Sequence, residues 1–133
     1  MSKATEQLLD EFFAAIQRGD IDAVAAFYAD DIEVWHNVTR SSLNKAGSLD
    51  LLRYWIRTVT SMRYDVLERR TFDGGAVQRH VVHGTAHGTS LEVPVCIVFH
   101  VDGGRITRIY EYLDQAAVAA VFGDAQPNRA RRG

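Results

Sequence analysis

The chain has 133 residues and a mass of 14.9 kDa, with 47% hydrophobic and 24% charged residues. That length suits one domain around one core, and that composition excludes a disordered chain or a membrane-spanning class. With 15 Lys and Arg against 17 Asp and Glu, the formal charge of −2 gives no broad attraction to phosphate backbones or anionic lipid. Nucleic acid and membrane are therefore not expected partners.

Between Thr5 and Arg18, apolar residues Leu8, Leu9, Phe12, Phe13 and Ile16 recur at helical spacing, and Gly19 supplies a stop. Asp20 caps a second, short helix with Ile21, Val24, Phe27 and Tyr28 inward, ending at Asp30-Asp31. From Ile32 the pattern changes to period two, placing Ile32, Val34 and His36 on one face of a strand and Glu33, Trp35 and Asn37 on the other. Thr39 to Gly47 reads as a loop. Ser48 is then the expected cap of a third helix carrying Leu51, Leu52, Trp55, Ile56 and Val59 along one side.

The second half alternates as strands, approximately Tyr64 to Phe72, Ala76 to Thr85, Ser90 to Val101 and Arg105 to Leu113. Turns at Asp73-Gly74-Gly75, Ala86-His87-Gly88-Thr89 and Asp102-Gly103-Gly104 join them, which makes successive strands antiparallel. A last helical turn or two is expected over Gln115 to Phe122, within a single domain over 1–123. The tail over 124–133, with Arg129, Arg131 and Arg132, is expected to be solvated and mobile. The sole cysteine, Cys96, sits in an apolar run and is expected as a buried, inert thiol. The N-terminus lacks an apolar h-region, and no stretch approaches the ~20 apolar residues of a membrane span, so a cytoplasmic location is expected.

Helices followed by a meander define an α+β class, with helices on one face of a strongly curved antiparallel sheet. The opposite face of the last strand carries Ile106, Arg108, Tyr110 and Tyr112, more aromatic than an ordinary wet surface. A homodimer through that convex face is expected.

Four stretches carry a family resemblance: 12–20 (FFAAIQRGD), 27–31 (FYADD), Val34-Trp35-His36, and 104–114 (GRITRIYEYLD). Together with the element order they resemble the nuclear transport factor 2-like superfamily, and its SnoaL-like branch most. The resemblance covers roughly Thr5 to Phe122. It implies a cone-shaped sheet roofed by three helices over an apolar cavity. Ketosteroid isomerases of this fold keep a base where His36 stands, a tyrosine where Phe12 stands, and a second aspartate near Cys96 or Ile97. Limonene-epoxide hydrolases of this fold imply that Glu111 matches one catalytic aspartate, His36 or Asn37 a water-holding asparagine, and His80 and Gln78 the remaining charged pair.

Strand parity groups His36 with Val34, Gln78 and His80 with Ala76 and Val82, and Glu111 with Ile109 and Leu113. If the family geometry holds, all of them face the cone interior. Two readings stay open: a proton-transfer constellation, with imidazoles and a desolvated glutamate titrating near neutrality, or polar groups that only satisfy one another. In the first, His36 is the base, with His80 and Glu111 as proton partner and orienter. Asn37, Gln78, Trp35, Trp55, Tyr54, Tyr28 and Phe12 are the candidate substrate contacts. His80, His83 and His87 have a metal-like spacing, but on a strand the first two point to opposite faces, so no metal is expected. His100 and Cys96 share a face yet lie roughly 13 Å apart along an extended chain, too far for a nucleophile pair. The expected function is cofactor-independent acid–base chemistry on a small, mostly apolar molecule, of isomerase, cyclase, hydratase or epoxide-hydrolase type. The alternative is a non-catalytic ligand-binding or dimerisation module.

Overall fold

The computed structural model describes residues 2–123, so the tail expected to be mobile lies outside the described residues. Helix α1 (Ser2–Gln17) buries Leu9, Phe12, Phe13 and Ile16, the stripe its periodicity predicts. It stops where Gly19 adopts φ +74°, a conformation glycine takes without steric cost. Helix α2 (Ile21–Phe27) begins at Asp20, whose carboxylate accepts from the Ala23 N–H at 3.0 Å. The first strand, β1 (Tyr28–His36), starts four residues earlier than its alternation suggests. Tyr28 therefore belongs to a strand rather than to a helix.

A tight turn follows β1, in which Arg40 takes φ 54° and its N–H donates to the His36 carbonyl at 2.8 Å. It returns the chain as β2 (Ser41–Leu43), antiparallel to β1, where a loop was expected. Three residues are too few for a period to register. Helix α3 (Lys45–Thr58) is capped by Asn44, whose Oδ1 accepts from the Gly47 N–H at 2.9 Å. Ser48 thus lies inside the first turn, and its hydroxyl donates back to the Lys45 carbonyl.

Strands β3 (Thr60–Phe72), β4 (Gly75–Ala86), β5 (Thr89–Asp102) and β6 (Arg105–Leu113) form the expected antiparallel meander, and α4 (Gln115–Phe122) closes the described chain. The sheet runs β2-β1-β6-β5-β4-β3, and its β1–β6 pairing is parallel, so the sheet is mixed rather than wholly antiparallel. These two strands are distant in sequence, and no hairpin dictates their direction. The helices α1, α3 and α4 pack against strands of this curved, unclosed sheet, and the core lies between. Among the described residues no helix is long and apolar enough to cross a membrane.

Two expectations about faces are corrected. Cys96 is exposed, because β5 alternates strictly: Val93, Val95, Ile97 and Phe99 point inward, and Cys96 falls opposite Tyr112 on the outer side. Ile106 is fully buried instead of sharing the outer face with Tyr110 and Tyr112. A register shift between His100 and Val101 turns its side chain inward.

The end of β1 is fixed by Asn37. Its Nδ2 donates to the Leu113 carbonyl at 3.1 Å, its Oδ1 accepts from the Leu113 N–H at 3.0 Å, and its own N–H donates to the Glu111 carbonyl at 3.0 Å. The amide thereby continues the ladder with side-chain atoms. Asn37→Ala should lower stability by about 2 kcal/mol in urea unfolding, because two part-buried backbone groups lose their partners. A loss below about 0.5 kcal/mol, within the range of ordinary surface changes, would show that the clamp does not hold the strand end.

Candidate active site

Neighbouring residues across the sheet define a row. His36 on β1 pairs with Glu111 on β6, Glu111 with Ile97 on β5, Ile97 with Gln78 on β4, and Gln78 with Arg69 on β3. Register partners share a face, so their side chains stand side by side above the concave surface. His36 Nε2 lies 3.0 Å from Glu111 Oε1. His36 is 6% exposed, with Val34 and Ile109 buried in the next row. Burial of Glu111 raises its pKa, but the hydrogen bond from His36 and the favourable electrostatic interactions with the His36 and His80 imidazoles outweigh it and leave the carboxyl below its ordinary range. A desolvated glutamate can rise toward neutrality, but Glu111 is an ionised acceptor, because its partners more than offset desolvation.

His80 stands in the adjacent row, opposite Val95, and is 1% exposed. Its Nδ1 lies 2.8 Å from Gln78 Nε2. Arg69 Nε donates to Gln78 Oε1 at 2.8 Å, and Arg69 Nη1 donates to Asp10 Oδ1 on α1 at 2.7 Å. Phe13 and Tyr64 pack edge-on against the His80 ring, at centroid separations of 5.5 and 5.1 Å. Its Nε2 is buried without a hydrogen-bond partner among the described residues, an arrangement that typically costs 1–3 kcal/mol. Burial, aided by the Arg69 charge and opposed by Glu111, brings the His80 pKa down to about 4. His80 is therefore neutral at pH 7.

A cavity of about 130 Å³ lies over these residues, comparable to the ~150 Å³ void that accommodates a benzene ring. Its lining includes His36, His80 and Glu111, the three expected to converge, together with Phe12, Tyr28 and Trp55. Gln78 does not line it and sits fully buried behind His80. With Gln78, four expected substrate contacts are corrected. Trp35 lies on the convex face, 5.1 Å from Tyr112 and 6.5 Å from Tyr110 by ring centroids, because it alternates with His36. Asn37 is engaged with the Leu113 backbone. Tyr54 packs on Phe122 and does not reach the lining.

The sequence reading missed Tyr64 and Arg69. Tyr64 lines the cavity, and burial followed by the Glu111 charge pushes its phenol up, as for Tyr28, so both hydroxyls stay protonated. Tyr64 and Arg69 differ in parity yet serve the same face, because a register shift between Val66 and Glu68 makes Leu67 an extra residue. Simple alternation hides such a bulge. His83 pairs with Asp65 at 3.9 Å and His87 packs on Phe122, so the three spaced histidines occupy different surroundings.

A family model described as SnoaL-like domain matches residues 9–109. The chain belongs to the SnoaL-like family. Solved structures share its fold, the cone-shaped fold of the nuclear transport factor 2-like proteins. PrhC from Penicillium brasilianum superposes with a TM-score of 0.85 over 97% of this chain and 95% of its own, at 12% identity. An LEH-like epoxide hydrolase from M. tuberculosis gives 0.73 over 87% and 86%, at 25% identity. A protein proposed to be a polyketide cyclase, from Xanthomonas campestris, gives 0.77 over 89% and 96%, at 24% identity. Among curated proteins none matches the sequence. The SnoaL-like fold thus houses cyclase- and hydrolase-type relatives, and the residues of this chain decide its chemistry.

The neutrality of His80 has a consequence for stability. Its folded-state pKa of about 4 lies below the ordinary 6.5, so the unfolded chain binds this proton first as pH falls. The stability His80 contributes is complete above pH ~6.5 and is lost progressively down to pH ~4, in total roughly 3 kcal/mol. Urea midpoints measured across that window should fall more steeply for the wild type than for His80→Leu. Parallel slopes would show that the ring is not buried neutral. The Glu111 contribution, with its folded pKa lowered, is lost only as pH falls below the ordinary carboxylate range.

Proposed function

We propose that the cavity binds a small, mostly apolar molecule and that His36, paired with Glu111, moves a proton on it without a cofactor. The observation that carries this is the 3.0 Å contact between His36 Nε2 and Glu111 Oε1 inside a mostly apolar lining. Because Glu111 is ionised, it accepts the Nε2–H, and Nδ1 becomes the ring atom that can take up a proton. The carboxylate fixes the ring and stabilises the imidazolium that forms. Proton abstraction and return need no metal or redox group, and the reaction classes open to such a pair are isomerisation, cyclisation, hydration and epoxide opening. The LEH-like epoxide hydrolase and the proposed polyketide cyclase named above fall among these classes by their own descriptions.

The convex face supports a second element of the reading, a homodimer. Tyr110, Tyr112 and Phe72 are 36%, 49% and 45% exposed, and Trp35, Tyr110, His100 and Phe72 form an unbroken chain of ring contacts across the sheet. An aromatic strip of this kind on a sheet face suits a self-complementary partner surface.

The acid–base reading is tested with cyclohexanone, a one-ring carbon acid, incubated in D₂O and followed by proton NMR. The wild type should speed loss of the α-proton signals, His36→Ala should fall to the buffer rate, and Glu111→Gln should be slower by about 10²-fold. Equal exchange by wild type and His36→Ala would sink the proposal, and saturable binding without exchange would identify a ligand-binding module. For the dimer, light scattering should return twice the 14.9 kDa chain mass, and Tyr112→Glu should return one chain mass. A wild type of single-chain mass at micromolar concentration would overturn it.

A further inference from the structure

The hydrogen bonds behind His80 fix more than its position. Arg69 can only donate, so the Gln78 atom facing its Nε must be the carbonyl oxygen, as placed at 2.8 Å. The amide cannot be flipped. Gln78 Nε2 then presents an N–H to His80 Nδ1 at 2.8 Å, which obliges Nδ1 to act as acceptor. The ring proton is left on Nε2. That atom is the one buried side-chain nitrogen or oxygen among the described residues with no partner. The chain of constraint begins outside the cavity, at the Asp10 carboxylate, which holds Arg69 at 2.7 Å.

From this we infer that Asp10, Arg69 and Gln78 lock His80 as a neutral Nε2–H donor to a substrate oxygen, and that the substrate class is a small carbonyl compound with an acidic C–H. The inference rests on the acid–base reading of His36 and Glu111 and adds the electrophilic half of the site. In the reaction, the C–H bond breaks and its proton passes to His36. The electron pair forms a C=C bond, and the carbonyl π pair moves onto oxygen as an enolate accepting the His80 hydrogen bond. Return of the proton to carbon restores a carbonyl without any oxidant or second reactant. A neutral donor suits this role, since it strengthens its bond as charge grows on the oxygen without surrendering its proton. His80 is the group that touches substrate; Gln78, Arg69 and Asp10 are positioning residues. The low His80 pKa, caused first by burial, agrees with this assignment. The ionised Glu111, one strand beyond β5, is the anion on the base side of the cavity.

Two measurements decide it. In nitrogen-15 imidazole spectra of the wild type at pH 7, His80 should show a protonated Nε2 and an unprotonated Nδ1, and Arg69→Met should give a mixture of tautomers. A protonated Nδ1, an imidazolium, or an Arg69→Met spectrum unchanged from wild type would overturn the lock. With cyclohexanone carrying carbon-13 at the carbonyl, the bound resonance should move downfield in wild type and in His36→Ala but not in His80→Leu. His80→Leu should also slow α-proton exchange by about 10²- to 10³-fold. A downfield shift that survives in His80→Leu, or that is missing in the wild type, overturns the donor assignment. A shift that depends on His80 in a wild type that exchanges no proton supports the donor and overturns the acid–base reading instead. Because the tautomer is read in the wild type, poor folding of His80→Leu does not remove the test.

Discussion

The parallel pairing of β1 with β6 is the constraint on which the site depends. All other neighbours in the sheet follow from hairpins, but this pair joins the start of the chain to its end. Its register brings His36 level with Glu111, and the Asn37 clamp to Leu113 prevents the strand end from fraying away. A slip of one residue would invert both faces, placing Trp35 in the cavity and His36 on the convex surface. One backbone register thus sets the imidazole–carboxylate contact, the aromatic outer strip and the floor of the core together.

Polar groups in this cavity are arranged asymmetrically. On the β1–β6 side a carboxylate is kept ionised by its histidine partner. On the β4–β3 side a histidine is kept neutral by burial and is backed by an amide and a guanidinium. Among the described residues, every buried side-chain nitrogen or oxygen except His80 Nε2 has a hydrogen-bond partner, so the stability cost is concentrated at one atom. A purely structural network would be expected to satisfy that atom from the protein as well. Its isolation is the structural feature that a structural account of the polar residues leaves unexplained.

Most of the fold was legible because long strands and helices bury one face, and their periods of two and 3.6 register that burial directly. The alternation of β5 is the clearest case, and it also shows how a residue judged by its neighbours alone, Cys96, is put on the wrong side. What was hidden has a common physical origin in local departures from period. The extra residue at Leu67 brings Tyr64 and Arg69 to the same face, and the shift beside Val101 takes Ile106 inside. Asn44 outcompeted Ser48 as cap because the helix starts one turn earlier than its apolar stripe. The convergence of His36, His80 and Glu111 was readable from parity, whereas the tautomer of His80 depends on Arg69, which no alternation pattern places near Gln78.

The bulge in β3 therefore has chemical as well as geometric consequences. Without it, Glu68 would fall opposite Gln78 on the inner face, Arg69 would alternate to the outer face, and Gln78 would lose the donor that fixes its amide. The amide could then turn, His80 could carry its proton on either nitrogen, and the cavity would present a lone pair as often as an N–H. A bulge at the edge of a sheet is commonly a means of re-aiming a single side chain. Here the re-aimed side chain lies two hydrogen bonds away from the cavity, and the property it sets is the direction in which a buried imidazole donates.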